Sequence, residues 1–275
     1  MKRILVFAYG VTSYVISVGT FVYLAGFLGN LLVPRSIDAA PVGPLWEALV
    51  VNTLLLGAFA LQHSVMARPR FKEWWTRFVS TPVERSTYVM FTNLALILLF
   101  WQWRPMDGVI WDVQDATGRG IFHGLYVVGW LIVLGTTFLI NHFDLFGLRQ
   151  VWLYLCGKPY TAVGFKTPGP YKVVRHPLYG GWFIAFWATP TMTTAHLVFA
   201  VGMTLYILVA IRYEERDLAD YHGEAYAHYR RTVSMLIPLP RGGGDRRSRK
   251  EEVQHASFDC RSDRSNCSRQ QAEAD

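Results

Sequence analysis

Four polar stretches interrupt an otherwise apolar chain. LQHSVMARPRF carries His63, INHFDLFGLRQVWL carries Asn141, His142, Asp144 and Arg149, TPGPYKVVRHPLYGGW carries Arg175 and His176, and IRYEERDLADYHGEAYAHYRR carries Arg212, Glu214, Glu215 and Asp217. Ionisable side chains beside membrane-length apolar runs are costly to place there and mark candidate sites. An imidazole such as His63 or His142 titrates near neutrality and can exchange a proton. Adjacent carboxylates at Glu214 and Glu215 need a cationic or hydroxyl-bearing partner, because carboxylates sit badly at the negative end of a helix unless the helix runs on past them. ERDLADY does continue as a helix, with Leu218 and Tyr221 on one side and Gly223 as a stop. Plainer readings stand beside these. A lone His63 marks a membrane interface equally well, Arg212 is an ordinary anchor, and His142 and Asp144, two residues apart, do not share a helical face and suit a loop that caps the preceding helix.

The elements that position these groups follow from composition. Hydrophobic residues make up 52% of the 275 and charged residues 17%, and the apolar residues come in blocks of membrane-spanning length. The blocks run from about Ile4 to Val33, Leu45 to Met66, Tyr88 to Trp103 and Ile121 to Ile140. A last apolar region, Leu178 to Ile211, is broken near Thr189 to His196, where Pro190 and a cluster of threonines interrupt it. We read it as a hairpin of two short helices. The expected fold is all-α, a polytopic transmembrane bundle of five to six membrane helices ending in that hairpin.

Charge sets the orientation. Arg68, Arg70, Lys72, Arg77 and Arg85 fill one gap and Arg149, Lys158, Lys166, Lys172 and Arg175 another, whereas Arg35 is alone in 34–44 and Arg104 and Arg119 are alone in 104–120. The positive-inside bias puts the first two gaps, both termini and all four polar stretches on the cytoplasmic face, and the expected location is a bacterial cytoplasmic membrane. The start MKRILVFAYG lacks a small-residue cleavage site and reads as a retained first helix. From Arg241 on, GGGDRRSRKEE and its continuation hold too few apolar residues to offset chain entropy, so 241–275 is expected to be a disordered tail.

Several classes drop out. The net charge of +7 lies in loops and tail, without a soluble basic face for nucleic acid. Cys156, Cys260 and Cys267 show no disulfide or metal spacing, no two of the membrane-proximal histidines stand four apart, and there is no CxxCH motif, so no metal or haem site is expected. No glycine-rich strand–turn–helix fingerprint announces a Rossmann domain. No obligate protein partner is evident; the partners expected are the bilayer and a small molecule.

RHPLYGG, the hairpin, and EERDLADYHGEAYAHYRR together resemble the C-terminal half of the membrane methyltransferases that include isoprenylcysteine carboxyl methyltransferase, matching at Arg175, His176, Pro177, Tyr179, Gly181, Glu214, Glu215, Leu218, Gly223, Tyr226 and Tyr229. QHSVMARPRFKEWWTR, ERSTYVMFTNLALILLFWQWRP and NHFDLFGLRQVWLYLCGKPY extend the likeness, over about residues 1–240, to the bacterial methanethiol S-methyltransferase family of the NnrU-like group. The resemblance implies S-adenosylmethionine as cofactor, held by about residues 141–240. Arg175, His176 and Tyr179 would take its carboxylate, Pro177 and Gly181 would shape the turn, and Glu214 and Glu215 would accept from its ammonium or ribose. It implies a small thiol, methanethiol, as acceptor, with His63 or His142 as base, Asp144 orienting one of them or acting itself, and Arg149 stabilising the thiolate. The competing implications are a larger lipid or prenyl acceptor, and a non-methyltransferase role in nitrogen-oxide metabolism.

Overall fold

The computed structural model describes residues 1–40 and 43–239. Its helices are α1 (Lys2–Gly29), α2 (Leu45–Ala67), α3 (Pro69–Trp75), α4 (Thr81–Gln102), α5 (Ala116–Ile140), α6 (His142–Leu145), α7 (Leu148–Leu155), α8 (Pro177–Trp187), α9 (Thr194–His222) and α10 (Glu224–Thr232), with two short strands, β1 (Val109–Asp112) and β2 (Thr191–Thr193). The tail expected to be disordered, with Cys260 and Cys267, lies outside the described residues.

Among the described residues, α1, α2, α4, α5 and α9 are long and apolar enough to cross a membrane. Leu, Phe and Val face outward along them, as a lipid-solvated surface requires. Small residues bring the helices together where lipid offers no hydrophobic drive. Ser13 on α1 donates to the carbonyl of Ser86 on α4 (2.8 Å), and Asn93 on α4 donates to Ser17 (2.9 Å). Gly181 on α8 lies against Gly129 on α5 so closely that a Cβ would fall 3.0 Å from the Gly129 carbonyl oxygen.

The C-terminal hairpin departs from the expectation of two short helices. α8 has 11 residues and α9 has 29. At 1.5 Å per residue α8 covers roughly 16 Å, about half a hydrocarbon core. Residues 188–193 complete the traverse in extended form, and β2 pairs antiparallel with β1 in the connection between α4 and α5. That pairing fixes the hairpin tip at the opposite end of the bundle from His176. The start of α1 is at the His176 end, where Arg3 lies over the ring of Tyr154 (5.9 Å) on α7. α9 then runs the whole height and past it, which places Glu214 and Glu215 beside the start of α8. Gly223, at φ 57°, ends it as the sequence suggested.

The packed core fills the half nearer the hairpin tip. Phe27, Phe100, Trp103, Phe186 and Phe199 make successive tilted and edge-to-face contacts. Packing is looser toward the other end, and the polar groups collect there.

Candidate active site

Pro177 occupies the first turn of α8, where its missing N–H costs nothing. The residues before it are pinned from outside the helix. The N–H groups of Arg175 and His176 donate to the carbonyls of Ser234 (2.8 Å) and Met235 (3.1 Å), in the strand-like stretch after α10. The start of α8, the end of α9 and the chain after α10 therefore form one unit.

Arg175 is its centre. Nε donates to Glu215 Oε1 at 2.7 Å, and Nη1 donates to the carbonyls of Arg230 and Val233. Its side chain is 4% exposed and that of Glu215 12%. His176 Nε2 meets the same Glu215 oxygen at 3.0 Å. Arg175 and Glu215 thus satisfy each other.

Glu214, one residue back and about 100° round the helix, is 42% exposed. It accepts from Tyr179 Oη (2.7 Å) and lies 4.0 Å from His176 Nδ1. Two phenols close the same space. The hydroxyls of Tyr171 and Tyr226 are buried without a hydrogen-bond partner among the described residues. Burial, with Glu214 near Tyr171 and Glu215 near Tyr226, pushes both phenols above their ordinary range, so both remain donors. Tyr229 uses its hydroxyl on the carbonyl of Tyr171, and burial raises it to about 12. A half-exposed carboxylate beside two donors without acceptors is a polar cluster with hydrogen-bonding capacity left over.

Gly181 serves the α5–α8 contact, whereas a Cβ on Gly180 would meet nothing within 4 Å.

The proposed proton acceptors lie in two separate clusters. His63 is half-buried on α2. Tyr88 Oη lies 3.0 Å from its ring nitrogens, Thr92 Oγ1 is 3.2 Å from Nδ1, and Phe59 stacks on its face. Phe59 also meets the ring of Tyr206, which lies on α9 two turns before Glu214 and accepts from Ser64 (3.4 Å). This cluster therefore shares α9 with the carboxylates.

His142 instead belongs to α1 and α5. Tyr14 Oη is 3.0 Å from Nε2 and Thr137 Oγ1 is 2.9 Å from Nδ1, while Phe138 stacks on its face. Burial pushes its imidazole below the ordinary histidine range. Asp144 lies in α6 with its N–H on the side chain of the capping Asn141 and pairs with Arg149 at 2.8 Å. Arg149 also donates to Thr161 and lies 5.3 Å from the Tyr160 ring centroid, so the pair ties residues 160–161 to the bundle.

Between these clusters a cavity of about 760 Å³ opens at the same end, lined by Lys72, Glu84, Arg85, Asn141, Asp144, Gln150, Tyr160 and Leu218 among others. Leu218 is one turn beyond Glu214. Sequence reasoning took Lys72 and Arg85 only as orientation-setting charges and overlooked Tyr88, Tyr171 and Tyr206. The usable signal for the first pair was local, since Arg85 stands three residues before Tyr88 on one helical face.

The chain is 57% identical over 239 residues to methanethiol S-methyltransferase of Crocosphaera subtropica, covering 87% of this chain and 94% of that protein. It is 55% identical over 240 residues to methanethiol S-methyltransferase of Mycobacterium tuberculosis, covering 87% and 98%. It is 51% identical over 239 residues to methanethiol S-methyltransferase 1 of Bradyrhizobium diazoefficiens, covering 87% and 84%. It matches no family model and no solved structure.

Proposed function

The chain is a membrane-integral methyltransferase belonging to the methanethiol S-methyltransferase family, and from that premise we propose that it methylates methanethiol to dimethyl sulfide with S-adenosylmethionine at the cytoplasmic face. The observation that carries the cofactor reading is Glu214, a half-exposed carboxylate beside the hydroxyls of Tyr171 and Tyr226, which have no partner of their own. These residues fit a ligand with an ammonium group, ribose hydroxyls and a cationic sulfur. When bound, the cofactor supplies a methyl group activated by a positively charged sulfur.

The protein's part is divided. Arg175, His176, Glu215 and Pro177 hold the frame, and Tyr179 orients the Glu214 carboxylate. Tyr171 and Tyr226 donate, and the aromatic faces of Tyr179 and Tyr226 suit a cation. Gly181 keeps α8 against α5 so that this frame does not shift.

The thiol reacts as its thiolate, so a proton must leave it. We assign that proton to His63. Its cluster shares α9 with Glu214, and its surroundings of Phe59 and Tyr206 suit a small apolar acceptor. His142 is the second candidate; it lies in a separate cluster with α1 and α5, and Asp144 and Arg149 support the rim beside it. The cytoplasmic placement rests on Arg68, Arg70, Lys72 and Arg77, which flank α3 at the Glu214 end of the bundle.

The test is headspace measurement of dimethyl sulfide from membranes holding the full chain, supplied with methanethiol and methyl-labelled S-adenosylmethionine. Labelled product is expected. Correctly inserted protein that makes none refutes the reading. Repeating the assay across pH with His63→Ala and His142→Ala separates the bases: loss of the alkaline-rising limb in the first alone supports His63, and an unchanged limb removes it.

A further inference from the structure

Arg175 is the motif arginine that the family resemblance sets against the cofactor's carboxylate, yet its guanidinium is committed to Glu215 and to the carbonyls of Arg230 and Val233. A ligand carboxylate would have to break that buried pair to reach it, and leaving a buried charge without its partner is costly. The anionic end of the methyl donor therefore needs another cation.

The inner cavity offers one. Arg85 lies in the first turns of α4, donates Nε to the carbonyl of Leu145 (2.8 Å) and places its guanidinium 4.9 Å from the centroid of the Tyr88 ring. It lines the cavity and makes no ion pair with any described carboxylate within 4.0 Å. Lys72 lines the same space, also without an ion pair. Burial, reinforced by Arg85, pushes its ammonium below the ordinary lysine range even though the charges of Glu84 and Asp217 act the other way. The cavity wall also carries Gln150, whose buried Oε1 has no partner, and Leu218, one turn past Glu214. Two cations without a direct ion pair face a cavity that Glu84 and Asp144 also line and that reaches Leu218, one turn past Glu214, so an anion at one end of a ligand and a cation at the other both find partners here.

Resting on the methyl-donor reading above, we propose that Arg85, with Lys72 beside it, binds the carboxylate of the cofactor's amino-acid end in this cavity, leaving Arg175 as a structural strut. Arg suits this role by its planar fork of N–H donors, with the guanidinium seated over the Tyr88 ring.

Calorimetric titration of the full chain in lipid nanodiscs tests this without turnover. Two probes are used: S-adenosylhomocysteine, which carries the carboxylate, and 5′-methylthioadenosine, which lacks the amino-acid end. Arg85→Gln is expected to raise the Kd of the first roughly tenfold or more while moving the second by less than about twofold. Lys72→Met, which leaves Arg85 and its stacking in place, is expected to show the same selectivity at a few-fold size and covers the case in which Arg85→Gln fails to fold. Equal weakening of both probes, or no weakening of either, in the folded variants overturns the assignment. A wild-type chain that binds neither probe overturns the cofactor reading itself, and this inference with it.

Discussion

At one end of α9, His196 is wholly buried, donating Nε2 to the carbonyl of Phe186 (2.9 Å) with Nδ1 3.8 Å from Asp38. At the other end, Glu215 takes His176 at 3.0 Å. Both ends thus pair a histidine with a carboxylate. Around Asp38 the pairing is closed: Asn30 donates to it at 2.7 Å, Thr193 donates to it as well, and Thr193 also caps the first turn of α9 through the N–H of His196. Trp111 donates to the carbonyl of Thr189, and Thr191 donates to Asp112, so the β1–β2 corner is stitched shut. Around Glu215 the pairing is also tight, yet one residue away Glu214 is half exposed and two phenols lack acceptors. The first end is a fastening, and the second is a fastening with a site attached.

The largest effect tests that division. Arg175→Gln or Glu215→Gln strips one partner from a buried pair, and about 3–5 kcal/mol of stability should go with it. Thermal unfolding in nanodiscs reads this directly. The same melting curve for Glu214→Gln should stay close to wild type, while S-adenosylhomocysteine binding falls by about tenfold, a loss of roughly 1.4 kcal/mol. If Glu214→Gln melts as low as Glu215→Gln, the two glutamates are not functionally distinct and the comparison collapses.

The smallest effect belongs to the closed end. Burial pushes the Asp38 carboxyl up, but the nearby His196 imidazole and the hydrogen bonds from Thr193 and Asn30 outweigh it and hold the group below its ordinary value. A depressed folded-state pKa gives stability that is present above about pH 4 and is lost as pH falls through the folded value. Asp38→Asn should therefore lower the melting temperature by a few degrees at neutral pH and flatten its acid dependence below pH 4, with turnover per folded molecule unchanged. Reduced turnover at full folding would mean that the two ends communicate.

Parts of both ends were legible in the residues. Pro190 and the threonines around it marked the hairpin break, because a missing N–H and short hydroxyl side chains interrupt a helix wherever they sit. Gly223 marked the end of α9 for a similar local reason. The length of α9 was not legible. Its last turns are polar, and a hydropathy window loses them although the helix continues, held by Arg68 on Asp217 (2.8 Å) and by the Arg175–Glu215 pair. His63 was visible as a polar residue in an apolar run, but its neighbours Tyr88 and Tyr206 come from helices 25 and 143 residues away in sequence and looked like ordinary membrane aromatics.

The sequence by itself determined the class of solvent the chain folds in, the approximate spans, the hairpin and the four polar stretches that end on one face. Those follow from hydropathy, proline and charge, which are sums over near neighbours. Only the tertiary structure decided which of two adjacent glutamates is buried against an arginine and which stays half exposed. It also decided that Arg175 pairs with Glu215 and that Arg85, ninety residues earlier in the chain, lines a cavity. Those outcomes depend on a 100° turn between neighbours on α9 and on the depth at which an 11-residue α8 begins. Angle and depth are properties of packed helices, and no local reading of the sequence contains them.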